Sequence, residues 1–480
     1  MKKMNFTFSL LLLLIFIISG LVYPQLTRKT PVLIFNGNNT EMQVVWQLYS
    51  TDTCRIDWGT DTLYSLGSEP VYEYGTDHQY TYTITNLIPS TKYYYRVSVG
   101  PEYHNGTFHS APDTAADSVC FFAYGDTRSN PGTHNQVANA MLAVCNGDSE
   151  FQSIIISVGD LVYNGDVESY WDNEFFNNSY YGIREMVASM PYQSCIGNHE
   201  GSGALFKKYF PYPFVNGRYW SFDYGPAHFV CIDQYTSYTP GSAQYTWIQN
   251  DLATTTKPWK FIYLHEPGWS AGTHPNNTNV QNYIQPLCVQ YNVPIVFGGH
   301  NHYYARALVD GIEHITTGGG GAPLYQPDTT FLHIVTATKV NHFCKIKINK
   351  GVLKFTAINL SGAIIDSFTV VNPLVGVEPG KETVPQKYIL NNAYPNPFNP
   401  STTINYSIPH AGFVSLKIYD SLGKEVETLV SEYKPAGNYS VEFSAMNGSG
   451  KTASILPSGI YFYQLKSGSF IVTKKMILMK

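Results

Sequence analysis

Five apolar runs in this 480-residue chain each end in a cluster of metal-binding groups. VCFFAY precedes Gly125-Asp126, IIISV precedes Gly159-Asp160, and YQSCI precedes Gly197-Asn198-His199-Glu200. KFIYL precedes His265, and PIVF precedes Gly298-Gly299-His300-Asn301-His302. Carboxylate, amide and imidazole without thiolate form a hard shell suited to Fe, Mn or Zn. His300 and His302, at i and i+2, can point to one side of an extended segment, so one loop can serve two adjacent metals. Glycine before every cluster but His265 predicts a sharp backbone turn that brings the ligand to a strand tip. The pairs Gly147-Asp148 and Gly165-Asp166 follow no buried run and read as ordinary turns, and His228 in GPAHFV reads as a satisfied core residue.

Continuous apolar runs imply strands buried on both faces, as in sheets flanked by helices. In such folds ligands bind beyond the carboxyl ends of the strands, which gives all five clusters a reason to meet. Residues 116–375 are therefore expected to form an α/β sandwich of sheets and helices. Before it, MQVVWQLY, CRIDWG, YTYTITNL and KYYYRVSVG alternate with turns about every ten residues, predicting an all-β sandwich over 26–115. Trp46 and Trp58 are expected as core anchors there, and the module as chemically silent.

The order G-D, G-D-x-x-Y, G-N-H-E, H, G-H-x-H resembles that of the calcineurin-like metallophosphoesterases, and Tyr163 makes it similar to the purple acid phosphatases in particular. Leu87-Ile88-Pro89-Ser90-Thr91-Lys92-Tyr93 resembles the tyrosine corner of fibronectin type III domains, and purple acid phosphatases carry such a domain in front. The resemblance spans residues 30 to 370 and implies a four-layer sandwich with a binuclear centre. Asp126, Asp160, Tyr163 and His302 would hold Fe(III), and Asp160 would bridge to a divalent Fe, Zn or Mn held by Asn198, His265 and His300. His199 and His274 match the substrate-contacting histidines. The family usually has glycine two places after the first aspartate, where this chain has Arg128. Arginine cannot ligate a cation; it can clamp a phosphate oxygen or pair with a surface acid. The implied reaction is in-line attack of a metal-bound hydroxide on a phosphate ester, most simply a monoester. A phosphodiesterase or nucleotide pyrophosphatase on the same site is the alternative. A non-catalytic surface adhesin is a second one, disfavoured because all seven expected ligands are present.

The chain ends point to export. Lys2 and Lys3 precede an apolar stretch from Phe8 to Ile18, then Ser19 and Gly20, the layout of a cleaved signal peptide over residues 1–25. Residues 376–390 read as a polar, Pro-containing linker. Residues 391–480 read as an all-β module and resemble the C-terminal sorting domain of the type IX secretion system, on FNPST, SGIYFY and KKM. That resemblance implies a Gram-negative bacterium, passage through the periplasm, recognition by the secretion machinery, and a secreted or surface destination without a lasting membrane span.

Composition agrees with an exported β-rich protein: charged residues make up 14%, aromatics 15%, and the formal charge is -5. Nothing supplies the basic face that nucleic-acid binding requires. Seven cysteines without a C-x-x-C pair exclude a zinc ribbon and read mainly as buried small hydrophobes, with one or two disulfides left open. Tyr170, Trp171, Tyr180, Tyr181 and Trp269 lie near the motif loops, where packing and stacking on a substrate ring are both open roles.

Overall fold

A computed structural model describes residues 25–372, 387–409, 412–434, 437–445, 456–468 and 470–479. The expected signal peptide lies outside the described residues except for Gln25, and so does most of the expected linker. The described residues up to 372 form one compact unit and those from 387 onward a second.

The first unit begins with β1 (Thr27–Ile34), β2 (Met42–Leu48), β3 (Cys54–Gly59), β4 (Gly67–Val71), β5 (Gln79–Ile84), β6 (Lys92–Val99) and β7 (Glu102–His109). They form sheets of order β1-β2-β5 and β4-β3-β6-β7. Alternation in β6 buries Tyr93, Tyr95, Val97 and Val99 with Trp46, Tyr80 and Phe108. The Tyr93 hydroxyl accepts a hydrogen bond from the Ile88 amide at 2.8 Å, fixing the corner before β6. Trp46 is buried, whereas Trp58 is half-buried and lies over Gly67. β1 breaks the alternating pattern and carries a buried cation: the Lys29 ammonium donates to Glu168 at 2.6 Å, Asp172 at 2.8 Å and Gln47 at 2.6 Å. Arg28 beside it donates to Asp172 at 2.7 Å.

Thirteen strands follow: β8 (Ser118–Tyr124), β9 (Ile154–Ser157), β10 (Tyr192–Ser194), β11 (Trp220–Tyr224), β12 (Ala227–Cys231), β13 (Trp259–Tyr263), β14 (Ile295–Gly298), β15 (Tyr304–Val309), β16 (Ile312–Thr317), β17 (Ile334–Thr338), β18 (His342–Asn349), β19 (Val352–Asn359) and β20 (Ile364–Val371). One sheet has the order β10-β9-β8-β18-β19-β20 and the other β11-β12-β13-β14-β16-β15-β17. β8, β9 and β10 are parallel, as are β12, β13 and β14, so their carboxyl ends share an edge within each sheet.

The pleat explains why both faces of these runs are apolar. Phe229 and Phe261 point inward, where Phe121 meets them edge-on at 5.0 and 5.3 Å between ring centres. Their neighbours Val230 and Ile262 point outward against Ile248, Leu252 and Leu287 of the helices Ala243–Thr254 and Gln285–Tyr291. On the other sheet the helices Pro131–Gly147 and Tyr181–Ser189 contribute Val137, Met141, Ile183 and Met186. Helices therefore cover both outer faces, as expected.

His228 is buried on β12 opposite Asp223 of β11, and its ring nitrogens lie 2.7 Å from Asp223 and 2.8 Å from Asp251 of the helix Ala243–Thr254. Burial alone would lower its pKa, but the two carboxylate hydrogen bonds prevail and raise it to about 9. A folded value above the ordinary 6.5 means that this contribution is complete below about pH 6.5 and is lost as pH rises through 9. Its size is on the order of 3 kcal/mol. Urea denaturation at pH 6.5 and pH 10 is expected to show a stability drop that shrinks by that amount in His228→Gln. An equal drop in both chains would remove the assignment.

The second unit has sheets built from Ile389–Leu390, Ser401–Ile408 and Gly437–Ser444, and from Glu425–Lys434, Gly412–Tyr419, Gly459–Ser467 and Phe470–Leu478. Its own core includes Ile404, Leu416, Phe443, Tyr463 and Met476. All seven cysteines are free thiols, and all but Cys145 are buried. Among the described residues no helix is long and apolar enough to cross a membrane.

Candidate metal centre

The tips of β8, β9 and β10 in one sheet and of β13 and β14 in the other bring all five clusters together. Asp126, Asp160 and His302 are almost fully buried, and one ligand atom from each lies within 4.8 Å of the others. Nε2 of His302 stands 3.5 Å from Asp126 Oδ1. A second group adjoins it: Asn198 Oδ1 lies 3.0 Å from both His265 Nε2 and His300 Nδ1. Asp160 Oδ1 is 3.4 Å from that same His265 nitrogen. Asp160 thus belongs to one group and touches the other.

The supporting hydrogen bonds select the ring atoms offered to an ion. His265 Nδ1 faces the Val158 carbonyl at 2.7 Å and His302 Nδ1 faces the Pro323 carbonyl at 2.8 Å. A carbonyl only accepts, so each Nδ1 carries the proton and each Nε2 presents its lone pair to the carboxylates, the arrangement a cation requires. The donor set therefore fits a two-ion centre. Burial above all pushes His300 down to about 4.

The expected turn is made by a glycine at Gly159, with φ of +87°, but the role of the other glycines needs correction. Asp126, Asp160 and His300 themselves take the left-handed conformation, with φ of +56°, +56° and +64°. Such residues cost on the order of 1–3 kcal/mol each and collect at functional sites. The glycines chiefly provide room: a Cβ on Gly197 would lie 2.3 Å from Asp160 Oδ1, and one on Gly299 would lie 2.3 Å from Asp126 Oδ2. His300 N donates to Asp126 at 3.0 Å and His199 N to Asp160 at 3.0 Å, so the carboxylates are oriented by the loops they pack against.

The remaining candidates ring this centre. His199 Nδ1 lies 2.5 Å from the Tyr163 carbonyl, and its Nε2 is 3.9 Å from Asp160 Oδ2. The His274 ring packs 4.2 Å from that of His300, while its backbone N–H donates to Asn301 Oδ1 at 2.9 Å. Tyr163 is 50% exposed, its ring beside Tyr170 and His199 at 5.4 and 5.6 Å. Arg128 donates from Nε to Asp160 Oδ2 at 3.3 Å, so its partner is a buried candidate ligand and not a surface acid. Of the aromatics, Trp171 is core and donates to the Gly165 carbonyl at 2.9 Å, and Trp269 packs on His314. Tyr170 and Tyr180 are partly buried against the core, and Tyr181 is exposed.

Sequence reasoning missed three supporting residues. Glu200, fully buried, accepts from the backbone N–H groups of Asp160, Leu161 and Gly197, tying the β9 and β10 tips together; burial and Asp160 push its carboxyl up to about 7. Glu174 accepts from Ser129 N at 2.8 Å and Tyr163 N at 2.9 Å. Tyr325 stacks on His302 at 4.3 Å. Glu200 had a visible signal, an acid directly after the histidine of a ligand cluster; the other two had none.

Residues 122–304 match the calcineurin-like phosphoesterase family, and residues 392–479 match the secretion system C-terminal sorting domain. A purple acid phosphatase of Glycine max is 26% identical over 275 residues, covering 53% of this chain and 58% of the soybean protein, so the chain spans little more than half of that relative. Purple acid phosphatase 22 of Arabidopsis thaliana is 27% identical over 371 residues, 66% of this chain and 81% of that protein. Among solved structures, a purple acid phosphatase from yellow lupin (Lupinus luteus) seeds superposes with a TM-score of 0.60 at 19% identity, covering 72% of this chain and 74% of the lupin chain. A PhoD structure gives 0.58 at 13% identity, covering 72% and 91%. At those identities the two structures speak for the fold.

Proposed function

We infer that this chain, which carries a calcineurin-like phosphoesterase domain and a secretion sorting domain and has purple acid phosphatases among its homologues, is an exported two-metal hydrolase of phosphate monoesters. The observation that carries the reading is the position of Asp160, within 4.8 Å of the Asp126–His302 group and 3.4 Å from His265 of the other. When bound, a pair of cations supplies charge neutralisation for the phosphoryl group and lowers the pKa of a water for in-line attack. Asp126, Asp160, His302 and Tyr163 would hold the first ion, proposed as Fe(III), and Asn198, His265 and His300, sharing Asp160, a divalent Fe, Zn or Mn.

The chain's own residues orient the ester. His199 keeps Nδ1 on the Tyr163 carbonyl and so presents Nε2 beside Asp160, where the imidazolium form can donate a hydrogen bond to a phosphoryl oxygen. His274, beside His300, lies on the other flank. One of these two imidazoles donates the proton to the departing alkoxide, the task of a general acid. Arg128 offers a forked donor to a phosphoryl oxygen. Metal analysis of the purified chain, with rates on mono- and bis-nitrophenyl phosphate, tests the reading: two ions and faster monoester cleavage are expected. Preference for the diester would move the assignment to phosphodiesterase, and a metal-free inert chain would favour the adhesin.

Tyr163 decides the metal at the first position. A phenolate favours ferric iron and gives a visible charge-transfer band, so the wild type is expected to be coloured. Tyr163→Phe is expected to lose the band and part of its iron, with hydrolysis reduced about 10- to 100-fold. Its half-exposed ring makes the substitution structurally mild. An iron-replete but colourless wild type, or an unchanged spectrum in the variant, would leave a generic two-metal phosphoesterase.

A further inference from the structure

We propose that Arg128 is a tethered cation that competes with a metal ion for the Asp126–Asp160–His302 half of the centre, so that the two halves load unequally. The proposal rests on the two-metal reading above and concerns how the ions are taken up. The guanidinium is largely buried: its side chain is 12% exposed. Nε donates to Asp160 Oδ2 at 3.3 Å, and Nη2 lies 3.5 Å from His302 Nε2. That ring nitrogen carries the lone pair, because Nδ1 is engaged with the Pro323 carbonyl. Arg128 therefore sits against two of the donor atoms the first ion needs. The other half is differently placed: Asn198, His265 and His300 converge beside Asp160 Oδ1, the carboxylate oxygen turned away from the guanidinium.

Two features hold the arginine there. Its own N–H donates to the Asp160 carbonyl at 3.2 Å, and the next residue, Ser129, donates its N–H to buried Glu174 at 2.8 Å. Ser129 Oγ also accepts from Arg128 Nη1 at 3.1 Å. With the backbone pinned on both sides, an incoming ion is met by the side chain and must displace it by rotation alone. A guanidinium stays charged at every working pH, and repulsion between cations is stronger in a partly buried site than in water. For a divalent ion the Asn198–His265–His300 half is then the first and tighter to fill.

Zn2+ titration of the chelator-stripped full chain, with bound metal measured by calorimetry and mass spectrometry, tests this without reference to turnover. Wild type is expected to show two classes of site whose affinities differ about tenfold or more. Arg128→Gln should tighten the weak class by about tenfold and leave the strong class within about twofold, whereas Arg128→Lys, which keeps the charge, should leave the weak class weak. Two equal classes in wild type would overturn the proposal without any variant, and so would a weak class unmoved in a folded Arg128→Gln chain. Failure of both chains to bind a second ion would instead bring down the two-metal reading, and the competition with it.

Discussion

Asp160→Asn is expected to abolish both metal retention and hydrolysis, because this one carboxylate stands in the Asp126–His302 group and beside His265 of the other. Each bound cation is worth several kcal/mol of transition-state stabilisation, and tenfold in rate corresponds to about 1.4 kcal/mol, so losing both predicts a fall on the order of a thousandfold or more. An amide keeps the shape and can still accept from His199 N, which separates loss of charge from loss of packing. Asp166→Asn is the matched control. Asp166 also follows a glycine, but it accepts from Ser202 N at 3.0 Å, a bond that an asparagine oxygen can retain, and near wild-type activity is expected. Metal content and nitrophenyl phosphate rates measured on the two variants check the contrast. Equal losses would remove Asp160 from its shared position.

Deleting residues 391–480 is expected to stop delivery to the cell surface almost completely while leaving specific activity unchanged. The second unit has its own hydrophobic core and contributes none of the candidate ligands, and the first unit has a separate core of its own. The truncated enzyme should collect in the periplasm, active. Cell fractionation followed by phosphatase assay reads this directly, and intact-mass measurement of wild-type surface material should find a chain lacking Lys480 and residues 1 to about 25. Surface display of the truncated chain would count against the sorting role.

Much of the centre was legible because its signals are local. A strand buried on both faces leaves an unbroken apolar run, and a polar cluster directly after it can lie only at the strand tip, so Asp126, Asp160, Asn198, His265, His300 and His302 could be placed in one region from spacing alone. What escaped was set by tertiary packing. Glu174 lies in a helical turn with no ligand-like spacing, yet its carboxylate fixes the backbone of both Ser129 and Tyr163. The glycines were recognised, but the purpose of all except Gly159 was misjudged, since the distance from a Cβ to a neighbouring carboxylate cannot be read along a chain. β1, β4 and β7 were missed for a related reason. β1 is buried on nearly every residue and β4 is exposed on most, so neither shows alternation. In β7 burial alternates along the whole strand, but the inward positions before Phe108 hold Glu102, His104 and Gly106, so the residue types show no apolar alternation.

The buried ammonium of Lys29 has a consequence for dissecting the protein. A fragment beginning near residue 116 would keep Glu168 and Asp172 but lose Lys29 and Arg28, leaving Lys208, within reach of Glu168, as the cation beside them. Removing one partner of a buried ion pair costs about 3–5 kcal/mol, discounted here because both acids are partly exposed. The same cut removes Tyr95, whose hydroxyl donates to the Ala188 carbonyl at 2.9 Å. The acids left behind lie on the stretch that leads to Glu174. The phosphoesterase-like region is thus not a portable cassette: recombinant expression, domain grafting and evolutionary shuffling would each have to carry the first sandwich with it, whereas the sorting module carries none of the candidate metal ligands.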